Sequence, residues 1–267
     1  MKTLIQAAVV TLFAASTAQA QQAVQWRVQD GGNGHWYLGV RTAQPLSWTQ
    51  ARSATESAGG HLATAIDAAE FERIKAIAGA PGLWSDRVGP WLGGYQDRTS
   101  PEYSEPLGGW RWVTGETWYA QWIPGEPNNA RGGEDYLHFI SRNCPDPLPT
   151  RHWNDYPDQY SFDSCTPVPS SYIIEWSADC NADGIVDYGQ ILTGQFQDVN
   201  RNGIPDRVCE CLGDLDADGA VTGADLGQVL AAWGAASSGA PADLNADGSI
   251  DGFDLAYLLA GWGPCAN

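Results

Sequence analysis

The sequence predicts an α+β domain followed by a smaller helical domain built from repeats. Two helix-period segments come early, at 47–60 and 67–79, and short aromatic or β-branched runs bounded by Gly and Pro follow them. A further observation marks the boundary. From Asp179 on, irregular Trp-rich sequence gives way to a recurring pattern of Asp, Asn and Gly. The 267 residues, 43% of them hydrophobic, suffice for one medium domain with a core and a smaller second one.

The elements follow in order. "MKTLIQAAVVTLFAASTAQA" (1–20) carries one Lys, an apolar run from Leu4 to Ala15 and a small-residue end at Ala18-Gln19-Ala20. It reads as a secretory signal cut before Gln21. The run is too short for a membrane span, so a soluble exported protein is expected. "HWYLGV" (His35–Val40) reads as a strand. Ser47 caps a helix with Trp48, Ala51, Ala54, Thr55 and Ala58 on one face, and Gly59-Gly60 stops it. Asp67 caps a second helix, lined by Phe71, Ile74 and Ile77 and ended by Gly79. "PWLGGY", "GWRWVTG", "DYLHFI" and "SYIIEW" read as strands.

The C-terminal repeat is explicit. "DLDADGAVTGADLGQVLAAWG" (214–234) and "DLNADGSIDGFDLAYLLAGWG" (243–263) are offset by 29 residues. Each has Asp or Asn at loop positions 1, 3 and 5, Gly at 6 and Asp at 12, giving Asp214, Asp216, Asp218 and Asp225, then Asp243, Asn245, Asp247 and Asp254. Such spacing turns alternate oxygens inward around a hard divalent cation, with Gly permitting the sharp turn. The helices that follow carry Leu226, Val229, Leu230 and Trp233, matched by Leu255, Leu258, Leu259 and Trp262, and two such stripes can bury each other. Two shorter cognates precede them. "DCNADGIVD" offers Asp179, Asn181, Asp183 and Asp187, and "DVNRNGIPD" offers Asp198, Asn200, Asn202 and Asp206; their last acid is at position 9, with Gln190 or Cys209 at 12. All four loops are expected to bind Ca²⁺.

Charge agrees with cations as partners. Only 14 Lys and Arg face 32 Asp and Glu, a formal charge of −18, which repels nucleic acids and acidic membranes. All six Cys lie after residue 143 and fit an oxidising compartment. Spacing alone does not fix their pairing; nearness and domain limits favour Cys144–Cys165, Cys180–Cys209 and Cys211–Cys265. No CxxC pair is present, and Cys209-x-Cys211 has no His nearby, so zinc is the weaker reading.

Two family resemblances rest on these residues. The tandem at 212–265 resembles a dockerin type I module, and 179–211 resembles the short aspartate-rich calcium repeats of exported proteins. Dockerins dock onto cohesin domains, which implies a cohesin-like partner; a self-contained stalk or cap fits the same sequence. Residues 26–176 resemble a C-type lectin-like domain through "GGHLATA" (59–65), "WLGGYQD" (91–97), "EPN" followed by "ED", and "WND" (153–155). That resemblance implies an α+β fold of two helices, small antiparallel sheets and a long calcium-binding loop. It implies a cis bond before Pro127, and one Ca²⁺ held by Glu126, Asn128, Glu134, Asn154 and Asp155. Two vicinal sugar hydroxyls would complete the shell, each donating to an acid such as Glu126 and accepting from an amide such as Asn128 or Asn154. Glu-Pro-Asn implies mannose-type glycans. An auxiliary calcium position draws on Asp97, Glu134 and Asp135, with Asn129 fitting in part and Pro101 where another acid is expected.

The sequence departs from the family pattern. The long-range disulfide would join positions occupied by Thr55 and Ile174, and the loop disulfide would start at Tyr136. Cys144 and Cys165 instead flank "WND" in a lengthened segment, where a bridge would staple the loop beside the site. Among the histidines, His61 reads as a core or turn residue and His152 as a candidate for the rim of the sugar site. Trp110, Trp112, Trp118 and Trp122 read as core more readily than as a stacking platform. Paired acids exist, but none sits in a recognisable catalytic frame, and no nucleophile–base pair or phosphate loop appears, so no enzyme is expected. The expected function is calcium-dependent carbohydrate binding by an exported protein. The alternatives are a non-sugar protein-recognition module and a dockerin-tethered accessory of polysaccharide degradation.

Overall fold

The computed structural model describes residues 22–130, 132–143, 151–159, 165–206, 209–237 and 239–265. In the first domain the elements are β1 (Val24–Gln25), β2 (Trp36–Arg41), α1 (Trp48–Glu56), β3 (His61–Leu62), α2 (Ala68–Ile77), β4 (Val88–Gln96), β5 (Trp110–Trp112), β6 (Tyr136–Ile140), β7 (His152–Tyr156) and β8 (Ser171–Trp176). The α+β class is as expected. One mixed sheet runs β1-β2-β8-β4-β6-β7, with β3 on β8 and β5 on β4. The early strand β2 and the late strand β8 pair antiparallel over six residues, Leu38 opposite Ile174, so the two ends of the domain are zipped together.

Local chemistry explains the helices. Ser47 and Gln50 form a reciprocal capping box at the start of α1, which buries Trp48, Ala51 and Thr55. Asp67 accepts from the Ala69 and Glu70 N–H groups, and α2 presses Phe71 and Ile74 into the core. That core joins Tyr37, Leu92, Trp112, Phe139 and Trp153, with Trp118 and Trp122 partly buried against it. Trp153 thus anchors β7 from inside, while its neighbour Asp155 faces the loop at 126–134.

The C-terminal part contains α3 (Asp187–Leu192), β9 (Ala220–Val221), α4 (Gly223–Ala231), β10 (Gly234–Ala235), β11 (Ser249–Ile250), α5 (Gly252–Ala260) and β12 (Gly263–Pro264). Pairing is exchanged between the repeats. β10, after the first repeat's helix, pairs with β11 in the second loop, and β12, after the second helix, pairs with β9 in the first. Val221, Val229, Ala242, Leu244, Ile250 and Leu258 form a small core. The expected burial of the whole stripes is corrected here: Leu230, Trp233, Leu259 and Trp262 are 52%, 50%, 52% and 51% exposed. The reason lies in the first turn of each helix. Asp225 and Asp254 turn inward toward their loops, which rotates the helices so that Val229 and Leu258, one turn on, are the residues buried.

Cys180–Cys209 and Cys211–Cys265 are disulfides, as the pairing by nearness expects. Cys165 is also disulfide-bonded; the expected partner Cys144 lies outside the described residues. No helix among the described residues is long and apolar enough to cross a membrane.

Candidate cation-binding sites

The loop at 125–135 is organised by side chains gripping its backbone. The Glu126–Pro127 bond is cis. Asp155 is fully buried on β7 opposite Leu137, and its carboxylate accepts from the Asn128 N–H at 3.0 Å and the Asn129 N–H at 2.7 Å. Asn129, in the left-handed region at φ 47°, accepts from the Gly133 and Glu134 N–H groups. Glu134, 3% exposed, accepts from the Ala130 N–H. Asn129 therefore contributes more to the loop's shape than its sequence pattern indicates.

Glu126 and Asp155 meet directly. Burial, the Asp155 charge and a hydrogen bond between the two carboxyls push Glu126 up to about 7. Burial also raises Asp155, against the pull of the Asn129 and Asn128 N–H groups. One oxygen, Glu126 Oε2, is buried with no hydrogen-bond partner. Two adjoining carboxyls with a buried oxygen left over suit a hard cation, which would neutralise both and fill the vacant acceptor position. Asn154 directs its amide nitrogen to His138 Nε2 at 3.1 Å and to the Asp155 carbonyl. His138 is pushed down to about 3 by burial and is a neutral acceptor there. The structure thus brings Glu126, Asp155 and the Asn128 backbone together, places Glu134 on the loop's own backbone, and turns Asn154 toward the sheet.

The auxiliary acids have other partners. Asp135 pairs with Arg98 at 2.9 Å, and Asp97 with Arg111 at 3.2 Å. Arg111 also reaches Ser100 Oγ at 2.9 Å and Glu102 at 3.8 Å. The Thr99 hydroxyl and N–H, then Arg111, hold Asp97 below the usual carboxylate range.

The four C-terminal loops share one hydrogen-bond scheme. Asp179, Asp198, Asp214 and Asp243 each accept from the N–H groups four and five residues on. Asn181, Asn200, Asp216 and Asn245 accept from the N–H two residues on, as do Asp183, Asn202, Asp218 and Asp247. Ala182, Arg201, Ala217 and Ala246 all adopt positive φ. A closing acid then accepts from the second residue of its loop: Asp187 from Cys180, Asp206 from Val199, Asp225 from Leu215 and Asp254 from Leu244. Short and long loops therefore close alike, although the acid is at position 9 in one kind and 12 in the other. Asp214, Asp216 and Asp218 bring carboxylate oxygens within 4.8 Å of one another.

Two further residues, Gln190 at position 12 of the first loop and Glu210 beyond the second, join these loops. Gln190 Nε2 donates to Asp183 Oδ2 at 2.8 Å. Glu210 accepts from both Asn200 and Asn202, at 2.9 and 2.8 Å, returning a carboxylate to the loop that has Asn at positions 3 and 5. Position-by-position matching reaches Gln190 but misses Glu210; Asn rather than Asp at both positions 3 and 5 of the 198–206 loop is the signal that points to Glu210. Elsewhere, His61 bonds Ser177 and the Leu62 carbonyl, and Trp110 and Trp112 are buried. A buried cluster that sequence reasoning did not single out links His35 to Glu175 at 2.6 Å, with Tyr37 and Asn33 reaching Glu70.

Residues 212–260 match the family model of the dockerin type I domain. Ladderlectin of Oncorhynchus mykiss is 31% identical over 133 residues, 48% of this chain and 59% of that protein, so the chain spans about three fifths of that relative. The cow C-type carbohydrate-recognition domain of CD23, solved in the presence of GlcNAc2Man3 oligosaccharide, is 22% identical over 62% of this chain and 98% of that one, with a TM-score of 0.40. The Ca²⁺-independent C-type lectin SPL-2 of Saxidomus purpuratus is 22% identical over 53% of this chain and 86% of that one, with a TM-score of 0.37. The chain pairs an α+β domain with a segment similar to dockerin type I domains.

Proposed function

We propose that this is an exported, calcium-dependent carbohydrate-binding protein whose C-terminal calcium loops form a docking module. The observation that carries the lectin reading is the Glu126–Asp155 pair with its partnerless Oε2, beside Asn128. Calcium bound there would supply a Lewis-acid anchor for vicinal sugar hydroxyls. Glu126 accepts from one hydroxyl, and the Asn128 amide donates to the other. Glu134, Asn154 and Asp155 belong to the same proposed set. The Glu-Pro-Asn order favours mannose-type glycans. Asp97 and Asp135 are already neutralised by arginines, so the lectin-like domain is read as holding one cation rather than two. The loops of Asp179, Asp198, Asp214 and Asp243 are read as calcium sites. The exposed Leu230, Trp233, Leu259 and Trp262 favour a protein partner for the tail, of cohesin type.

Glycan binding with and without EDTA tests the lectin reading. Mannose-type binding abolished by EDTA is expected, and Glu126→Gln with Asn128→Asp should move preference toward galactose-type sugars. If the double variant keeps the same sugars at the same strength, the loop is not the site.

A further inference from the structure

Thr55, near the end of α1, and Ile174 on β8 stand where a long-range bridge would join the two elements in the resembled family, and neither is Cys. At that place the chain after β8 folds back on the domain. Trp176, the last residue of β8, stacks on Tyr188 of α3 with ring centroids 4.0 Å apart and planes at 9°. Trp36 of β2 meets the same Tyr188 edge-on at 5.9 Å. Val186 closes a small core with Ile174, Trp176, Leu38 and Ala58. From the other side, Gly203 of the second aspartate loop lies so close to Ala58 that a Cβ would collide with its carbonyl, which accepts from Trp176 Nε1 at 2.7 Å. The aspartate loops are thus wedged between the end of α1 and the end of β8.

The wedge needs something to hold it. α3 has six residues, too few to be stable by itself. It grows out of the first loop, and its first residue, Asp187, is that loop's closing acid. Two oxygens here are buried without a hydrogen-bond partner: Asp187 Oδ1 and Gln190 Oε1, on residues 1% and 2% exposed. The Gln190 amide is fixed at the loop by its bond to Asp183. Cys180 and Cys209 beside Asp187 are joined in a disulfide and offer no thiolate, so the donors left are oxygens, which suit calcium rather than a softer metal.

We propose that a calcium ion held by Asp179, Asn181, Asp183, Asp187 and Gln190 staples the lectin-like domain, taking the place of the absent bridge between positions 55 and 174. This rests on the calcium reading of the 179–187 loop, and adds Gln190 as a ligand and a structural task for the ion. Occupancy stabilises the folded wedge by mass action, and through Trp176 and Ala58 that stabilisation reaches β8 and α1.

The test uses the full chain, with calcium calorimetry and hydrogen exchange at the amides of 171–176. Asp179→Asn with Asp183→Asn should bind one calcium fewer and lose about tenfold or more of the calcium-dependent protection at 171–176; an ion at 100 times its Kd supplies up to about a hundredfold. Gln190→Met should weaken that one site about tenfold, as loss of a buried oxygen ligand. Tyr188→Ala should keep the calcium count yet lose the protection, which covers the case of a double variant that folds poorly. One calcium fewer with protection unchanged would overturn the staple and leave the loop a calcium site. An unchanged count in the double variant would overturn the calcium reading and the staple together.

Discussion

Glu126 shows how one residue's surroundings set a measurable property. Its carboxyl is raised to about 7 by burial and by Asp155, so near neutral pH a proton competes with any cation there. Calcium binding at this loop should therefore release a proton and weaken as pH falls below about 7, by up to about tenfold per pH unit. Calorimetry in buffers of different ionisation enthalpy reads the proton directly; binding independent of pH between 5 and 7 would mean that Glu126 does not face the ion. The apo protein should behave oppositely in stability. A folded-state value above the unfolded one means that the native state holds the proton more tightly, so this group's contribution is present at low pH and is lost as pH rises from about 4.5 to about 7. Asp97 makes the contrary case. Its partner is Arg111, so Asp97→Asn should leave the number of bound calcium ions unchanged, whereas a lost calcium would restore the auxiliary site. Pairings of this kind are hard to read in sequence, because Arg98 and Arg111 reach their acids across turns and strands rather than at a fixed spacing.

Among the elements, the helices were the most legible, since caps and apolar period are local signals. Ser47 and Asp67 cap as their positions suggest. The C-terminal helices were half legible. Their stripes were visible, but which side turns inward depends on Asp225 and Asp254, whose bonds cross to another part of the loop. Each of these carboxylates accepts from three backbone N–H groups: Asp225 from Leu215, Asp216 and Thr222, and Asp254 from Leu244, Asn245 and Asp251. Substituting either by Ala removes a cap and strands buried donors, a loss of about 2 kcal/mol or more in the C-terminal domain. Thermal unfolding in EDTA isolates that structural part from any calcium effect; a change under about 0.5 kcal/mol would mean the bonds are incidental. Glu210 was illegible for a related reason: it lies outside the loop pattern and is brought in by the fold, whereas Gln190 stands at position 12 but is not an acid.

For the whole molecule, the two ends of the chain present different chemistry. The N-terminal domain offers a polar, acid-lined loop, whereas the tail exposes Leu and Trp at equivalent places in its two repeats, half of each side chain in solvent. Composition changes at Asp179, but the wedge of 179–206 against β8 was not legible, since it depends on Tyr188 and Gly203 meeting residues more than a hundred positions away in part. An exposed apolar pair in each repeat predicts a protein surface that works independently of the sugar loop. Trp233→Ala with Trp262→Ala, made in the full chain, should abolish capture of a cohesin-type partner and leave EDTA-sensitive glycan binding unchanged. Glu126→Gln should do the reverse. Neither change touches the small core, because Val229 and Leu258, not the tryptophans, fill it. If the double Trp variant still captures the partner at undiminished strength, the exposed face is not the docking surface; if it also loses glycan binding, the two ends are not independent.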